Sequence, residues 1–139
     1  MSMIESIRRY IADKCPFLDD EGRIGINYLS ENSLEYSVNE VPASSLRKRY
    51  VDGGGEYQKI FHFTCRMPYG DSIGTNEKSS AFFEQFCEWL ERQTQAEDFP
   101  EIEAGEPFAI QATTGGYIAE AGPDTAEYVI QCVLLYAKG

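Results

Sequence analysis

The most regular pattern in the chain is an alternation of apolar and polar residues over 57–67. One face collects Tyr57, Phe61, Phe63, Cys65 and Met67, whereas the other takes Gln58, Ile60, His62, Thr64 and Arg66. Successive side chains of a strand point to opposite faces of its sheet. The pattern therefore predicts a strand whose apolar face lies on the core.

Similar alternation predicts strands at 23–28, 33–42 and 108–113, and 46–51 and 117–119 are further candidate strands. We expect the first two to pair through a polar turn near Glu31 and Asn32. Gly115 and Gly116 predict a reversal of the chain between 108–113 and 117–119, which gives a second hairpin. The sequence "EAGPDT" at 120–125 predicts one more turn.

The last predicted strand, 126–137, is apolar on both faces. Tyr128, Ile130, Cys132, Leu134 and Tyr136 fall on one face, and Val129, Val133 and Leu135 fall on the other. Such a strand is typical of the middle of a sheet that is covered on both sides. We expect it to be central and covered twice.

Two segments have the apolar repeat of a helix. Ser2 and Glu5 match a capping box, and the isoleucines that follow predict a helix over 3–14 that ends before Pro16. A second helix is predicted over 79–95 from the stripe of Phe82, Phe83, Phe86, Trp89 and Leu90.

The segments on either side of the second helix show no such repeat. Residues 68–80 carry two glycines and a proline and predict a loop of about a dozen residues, and 96–107 predicts an acidic connection. The order helix, strands, helix, strands predicts a single α+β domain over 1–139. Its sheet is expected to be mixed, mostly antiparallel and built from about four to six strands, packed by the two helices.

The charge of the chain limits its partners. The formal net charge is -11, which disfavours phosphate backbones, so we expect no nucleic-acid partner. No run approaches the roughly 20 apolar residues of a membrane helix, which predicts a cytosolic protein without a membrane partner. The basic cluster Arg47, Lys48 and Arg49 is best interpreted as an exposed strand edge, with a local anion site as the less favoured alternative.

The cysteines give no sign of a metal site. Cys15, Cys65, Cys87 and Cys132 lie far apart in the sequence, without the close pairs of a zinc site. Neither acidic cluster, 19–21 or 97–106, matches a calcium loop. We predict reduced cysteines, no metal and no cofactor.

Three consecutive glycines, 53–55, raise the question of a phosphate-binding loop. Such a loop leads into a helix and usually carries a Lys followed by Ser or Thr. Here the triplet is followed by Glu56 and leads into the predicted strand. We therefore interpret 52–56 as the tip of a hairpin.

His62 and Cys65 are the one local pair that suggests catalysis. Residues three apart on a strand point to opposite faces, so the imidazole and the thiol should not converge. The chain also has no Gly-x-Ser-x-Gly motif. We predict that the protein is not an enzyme, and keep a small ligand-binding or enzymatic domain that uses His62, Cys65 and the 68–80 loop as an alternative.

The sequence as a whole resembles a phage protein family. The resemblance rests on "CPFL" after the first helix, on Tyr50-x-Asp52-Gly53 before the aromatic strand, and on Trp89 in an acidic helix followed by Phe99-Pro100. Together with "INYLSENSLEYSVNEVP" and "AEYVIQCVLLYAKG" they resemble minor capsid or tail-terminator (tail completion) proteins of long-tailed bacteriophages and prophages. The resemblance spans nearly the whole chain and contains no catalytic signature.

The resemblance implies a structural subunit that assembles with itself as a ring, with a hexamer expected, on the end of the tail tube. Its partners would be the tail-tube protein and the head connector, first in the cytoplasm of the bacterial host and then in the virion. The alternative within the same particle is a head-completion or connector protein. Three exposed loops are the candidate contact segments, with these residues: Asp52, Gly53, Gly54, Gly55, Glu56, Tyr69, Asp71, Glu101 and Glu103.

Overall fold

A computed structural model describes residues 2–16, 18, 24–26, 35–42, 45–51, 53–68, 73–122 and 125–138. The described elements follow the order α1 (Met3–Lys14), β1 (Ile24–Ile26), β2 (Glu35–Glu40), β3 (Leu46–Arg49), β4 (Gly55–Pro68), α2 (Ile73–Gln95), β5 (Glu106–Ala112), β6 (Tyr117–Ala121) and β7 (Thr125–Lys138).

The strands form one sheet in the order β1-β2-β4-β7-β5. β3 lies along the same edge of β4 as β2, and β6 lies along the same edge of β7 as β5, so the seven strands of the described residues fill five positions across the sheet. The pair β1–β2 is parallel and the other pairs are antiparallel. The predicted α+β class with a mixed, mostly antiparallel sheet is confirmed.

Two long strands form the middle of this sheet. β4 and β7 pair over fourteen residues each, from Gly55 opposite Lys138 to Pro68 opposite Thr125. At about 3.3 Å per residue, this ribbon is about 45 Å long. The predictions of an aromatic strand at 57–67 and of a central last strand are confirmed.

Both helices pack on the face of the sheet that carries Phe63 and Ile130. The ring of Phe86 stacks on the ring of Phe63, with centroids 4.3 Å apart. Tyr10 of α1 packs on Trp89 of α2, with ring centroids 5.7 Å apart. Burying each such side chain contributes about 1.5–3 kcal/mol. These aromatic contacts, together with buried aliphatic side chains, form the core that holds α1, α2 and the sheet together.

The second face of β7 is buried, as predicted. Val129, Val133 and Leu135 are at most 6% exposed, yet they lie outside the core cluster formed with the helices. Also on this face, Thr64 is buried and its hydroxyl donates to the carbonyl of Ser37 at 3.2 Å. Within the described ranges both helices pack on the other face, so neither of them accounts for the burial of these side chains.

The N-terminal helix matches its predicted bounds. The Glu5 amide donates to the Ser2 hydroxyl oxygen at 3.3 Å, as the capping pattern requires. At the other end the Cys15 amide donates to the Ile11 carbonyl at 3.0 Å, directly before Pro16.

The predicted loop over 68–80 is wrong for most of its length, because α2 begins at Ile73. The additional turns are polar in sequence, and a search for an apolar stripe therefore misses them. Once the packed part of a helix has formed, each further residue adds a hydrogen bond at little cost, so these turns need no apolar stripe of their own.

Two predicted hairpins are also corrected. β1 and β2 pair as expected but run parallel, with Ile24 opposite Tyr36 and Ile26 opposite Val38, so a simple turn at Glu31 and Asn32 does not join them. Those two residues lie outside the described ranges. β5 and β6 do not pair with each other, since both run antiparallel to β7 along the same edge.

Candidate assembly surfaces

The glycine triplet closes the hairpin between β3 and β4, as predicted. The Gly53 amide donates to the Tyr50 carbonyl at 3.2 Å, and the Tyr50 amide donates to the Gly54 carbonyl at 2.8 Å. Gly53 has a φ of 94°, which side chains disfavour, and its surroundings are open. This geometry fits a turn followed by a glycine bulge, a common way to close a short hairpin.

We call residues 47–51 and Gly53 the tip. Arg47, Lys48 and Arg49 are all exposed, and the Lys48 ammonium lies 5.6 Å from the centroid of the Tyr50 ring. Tyr50 is 39% exposed and Val51 is fully exposed. Among the described residues β3 has only β4 as a strand partner, which confirms the interpretation of the basic cluster as a strand edge.

The predicted contact residues of this hairpin do not all lie at the surface. Gly53 is exposed, but Gly54 and Gly55 are buried and Glu56 is half-buried within β4. At the base of the hairpin the Lys138 ammonium lies 4.9 Å above the Tyr57 ring, which stacks on Tyr136. The base is thus a packed part of the sheet, and only the tip extends from it.

A second surface lies where the edge strand is interrupted between β5 and β6. Ala112 lies opposite Cys132 and Tyr117 opposite Val129, so residues 113–116 face only two residues of β7. The Thr113 amide donates to the Gln131 carbonyl at 2.7 Å, and the Gln131 amide donates to the Thr114 hydroxyl at 3.1 Å. These bonds keep the chain beside β7 and explain why it bulges instead of reversing.

Gly116 fixes this interruption against α2. A Cβ at this position would overlap the Phe83 ring, whereas one at Gly115 would meet open space. Phe83 itself is buried and packs on Tyr128 with centroids 4.9 Å apart. The glycine therefore lets the backbone approach α2 closely.

We call the depression between α2 and residues 112–118 the groove. It has a volume of about 970 Å³. Glu84 and Glu88 line it from α2, Tyr117 and Ile118 line it from β6, and both glutamates are exposed. No Lys or Arg belongs to its described lining, so the groove is acidic as well as partly apolar.

The exposed apolar side chains fall into two groups. Among the described side chains, the large hydrophobic ones that are exposed are Tyr50 and Val51 in the tip and Phe108, Tyr117 and Ile118 on the β5–β6 edge. β3 joins β4 near Gly55, at the end of β7 that carries Lys138, whereas β6 joins the other end of β7. The tip and the groove therefore lie at diagonally opposite corners of the sheet.

The predicted contact residues Glu101 and Glu103 are exposed in the connection that precedes β5. With α1 they line a cleft of about 550 Å³. In its wall the Tyr10 hydroxyl donates to the Asp98 carbonyl at 2.7 Å and accepts from Gln93 at 3.0 Å. Burial raises the pKa of Tyr10 to about 12, against the opposing effect of the Gln93 hydrogen bond.

The connection and the tip both meet the sheet at the end of β7 that carries Lys138, whereas the groove lies toward its other end. Two of the three predicted contact loops are therefore brought to one end of the molecule. Asp52, Tyr69 and Asp71 lie outside the described residues.

His62 and Cys65 are separated as predicted. Cys65 is completely buried on the core face, and this burial raises the pKa of its thiol. His62 is half-buried on the opposite face, where its Nε2 lies 3.3 Å from Gln131 Oε1. The imidazole and the thiol therefore do not form a nucleophile and base pair.

Sequence reasoning missed the groove and the apolar residues of the tip. Phe108 and Tyr117 were assigned only to strands, and Tyr50 and Val51 only to a strand end. For Tyr50, Val51 and Tyr117 the one sequence signal is position, because these residues stand beside glycine-rich interruptions, and Phe108 has no such signal.

Comparison with known proteins gives no family assignment. No model of a protein family matches the chain, and no curated protein sequence matches it. In the part of the chain that the structure describes, neither helix is long and apolar enough to cross a bilayer. The same residues contain no group of three or more His, Cys, Asp or Glu side chains that could hold a metal ion.

Proposed function

We propose that the protein is a noncatalytic phage structural subunit, a tail terminator that forms a ring on the end of the tail tube. The observation that carries this proposal is the pair of unlike exposed surfaces, the tip and the groove, at opposite corners of one sheet. A ring of identical subunits needs two different surfaces on each copy, one for each neighbour. The resemblance of the sequence to tail-terminator proteins supplies the biological setting.

The charge of the molecule supports an assembly role. A net charge of -11 keeps free subunits apart through mutual repulsion and limits nonspecific association. It also speeds docking onto a basic surface, because long-range attraction raises association rates. In this proposal the ring binds the tail-tube protein on one side and the head connector on the other.

The direct test is to measure the mass of the purified protein and to image it by electron microscopy, alone and mixed with tail tubes that lack a terminator. We expect closed rings at the ends of the tubes, with tube length no longer increasing. A protein that stays monomeric at high concentration and never binds tube ends would contradict the proposal. Rings that bind head connectors but not tubes would assign it to head completion instead.

Thiol labelling tests the enzymatic alternative. Because Cys65 is fully buried and its pKa is raised, we expect its alkylation in the folded protein to be far slower than in the unfolded chain. Cys87, which is half-buried, provides an internal comparison in the same digest. Rapid labelling of Cys65 would favour a reactive thiol and count against a purely structural role.

A further inference from the structure

We propose that the tip of one subunit binds in the groove of the next copy, and that this head-to-tail contact is the one that builds the ring. The inference rests on the proposed function, because it names the subunit contact of the same assembly. Three properties of the two surfaces support it: their charges, their apolar side chains and their positions in the fold.

The two surfaces have opposite charge. The tip carries Arg47, Lys48 and Arg49, and within the described residues neither arginine has an ion pair. The groove presents Glu84 and Glu88, both exposed and likewise without an ion pair in that part of the chain. Complementary charges of this kind orient two surfaces and suppress wrong pairings.

The apolar side chains of the two surfaces also match. Tyr50 and Val51 lie at the end of the tip, and Tyr117 and Ile118, 45% and 44% exposed, lie in the wall of the groove. A groove of about 970 Å³ has room for several side chains. Contact would remove all four of these side chains from water and surround them with charged residues, which is the usual anatomy of a protein interface.

The positions of the two surfaces exclude a contact of the tip with the groove of its own chain. They are separated by two central strands across the sheet and by roughly ten residues, or about 30 Å, along β7. Each copy therefore has one tip and one groove available for two different neighbours. Such heterologous contacts close into a ring when the rotation between neighbours allows it.

Charge reversal is the first arm of the test. We compare Arg47→Glu/Arg49→Glu, which makes the tip acidic, with Glu84→Lys/Glu88→Lys, which makes the groove basic. Each variant should weaken self-association at least about tenfold, measured by sedimentation and by ring counts on tube ends. All four residues are exposed, so circular dichroism and melting should report intact folds. Arg9→Glu/Arg92→Glu has the same change in charge at exposed positions outside both surfaces and should assemble like the wild type.

Mixing the two variants is the decisive arm. In an equal mixture, an acidic tip meets a basic groove and a basic tip meets an acidic groove, so rings with alternating subunits should form again. The two variants shift the net charge in opposite directions, and a general charge effect would not require their alternation. Recovery of assembly in the mixture, with a 1:1 composition in each ring, is the expected result.

Crosslinking gives an independent readout of the contact. Cys87 lines the groove and is replaced by Ser in both chains of this experiment. In that background, a chain with Val51→Cys and Ile118→Cys should form disulfide-linked multimers under mild oxidation, whereas Val51→Cys with Glu5→Cys on exposed α1 should not. Rings that withstand both charge reversals, or a Val51→Cys/Ile118→Cys chain that forms no disulfide between its two new thiols, would overturn the contact while leaving the tail-terminator function intact. Assembly through the tip and the groove that never caps tubes would support the contact and contradict the tail-terminator function.

Discussion

Two glycine clusters in this protein have similar sequences and opposite effects on the chain. At 53–55 the backbone reverses and the cluster closes the hairpin between β3 and β4. At 115–116 the backbone bulges and continues in the same direction along β7. The difference lies in their neighbours, since Gly53 has open surroundings whereas Gly116 lies against Phe83.

The comparison shows that a glycine pair does not by itself specify a turn. The first cluster is closed by hydrogen bonds between residues three or four apart, within the segment that reverses. The second is held by Thr113 and Thr114 on Gln131, and by a helix more than thirty residues earlier in the sequence. A local sequence pattern therefore predicts the first cluster and fails at the second.

The largest effect is expected for Phe83→Ala, which removes the ring that supports the second cluster. Phe83 is 5% exposed and contacts Phe82 and Tyr128, so its loss should reduce the free energy of unfolding by about 3–5 kcal/mol. Urea denaturation followed by fluorescence measures this. Phe108→Ala, at a 40% exposed position, is the matched control, and equal losses for the two would show that Phe83 has no special role.

A smaller loss is expected for Gly116→Ala, because the new methyl group overlaps the Phe83 ring. Overpacking of this kind costs about 1–3 kcal/mol. Gly115→Ala should change stability by less than about 0.5 kcal/mol, since a Cβ there meets open space.

The pair Gly116→Ala and Phe83→Ala sharpens this prediction. In the Phe83→Ala background the added methyl group should cost much less, and a double-mutant cycle from four denaturation curves gives the coupling. Strictly additive effects would mean that the interruption is not held by this contact.

At the first cluster, Gly53→Ala should cost about 1 kcal/mol. The reason is backbone conformation and not packing, because φ is 94° and nothing lies within contact distance. Gly53→Asn should cost less, since asparagine tolerates positive φ better than alanine. If Ala and Asn were equally harmless, the backbone requirement assigned to the tip would be wrong.

The smallest effect on stability is expected for Val51→Ser at the end of the tip. The side chain is fully exposed, so the free energy of unfolding should change by less than about 0.5 kcal/mol in thermal denaturation. The same variant should weaken self-association, because it removes an apolar group of the proposed contact. A loss of stability comparable to that of Gly116→Ala would show that the tip is packed within its own subunit.

The sequence predicted the elements whose signal is local. The helix at Met3–Lys14 begins directly after its capping residue and ends before Pro16, and the long strand at Gly55–Pro68 alternates regularly over 61–67. The polar first turns of α2 were missed because they carry no apolar repeat. The parallel direction of β1 was missed because no residue pattern marks the direction of a strand. The hairpin at the tip was predictable because its glycines are a local signal. The groove was not, because it depends on Phe83, Gly116 and Tyr117 meeting in space.

The long ribbon of β4 and β7 determines how the molecule responds to force. In a ring built through the tip and the groove, a pull between neighbours enters at the start of β4 and leaves through β6 beside Tyr128 and Val129 of β7. These points are separated by about ten of the fourteen residue pairs between β4 and β7, so the load acts along the strands. The hydrogen bonds between them are then sheared together and not unzipped one at a time, which makes the sheet mechanically strongest in the direction that a closed ring would stretch it.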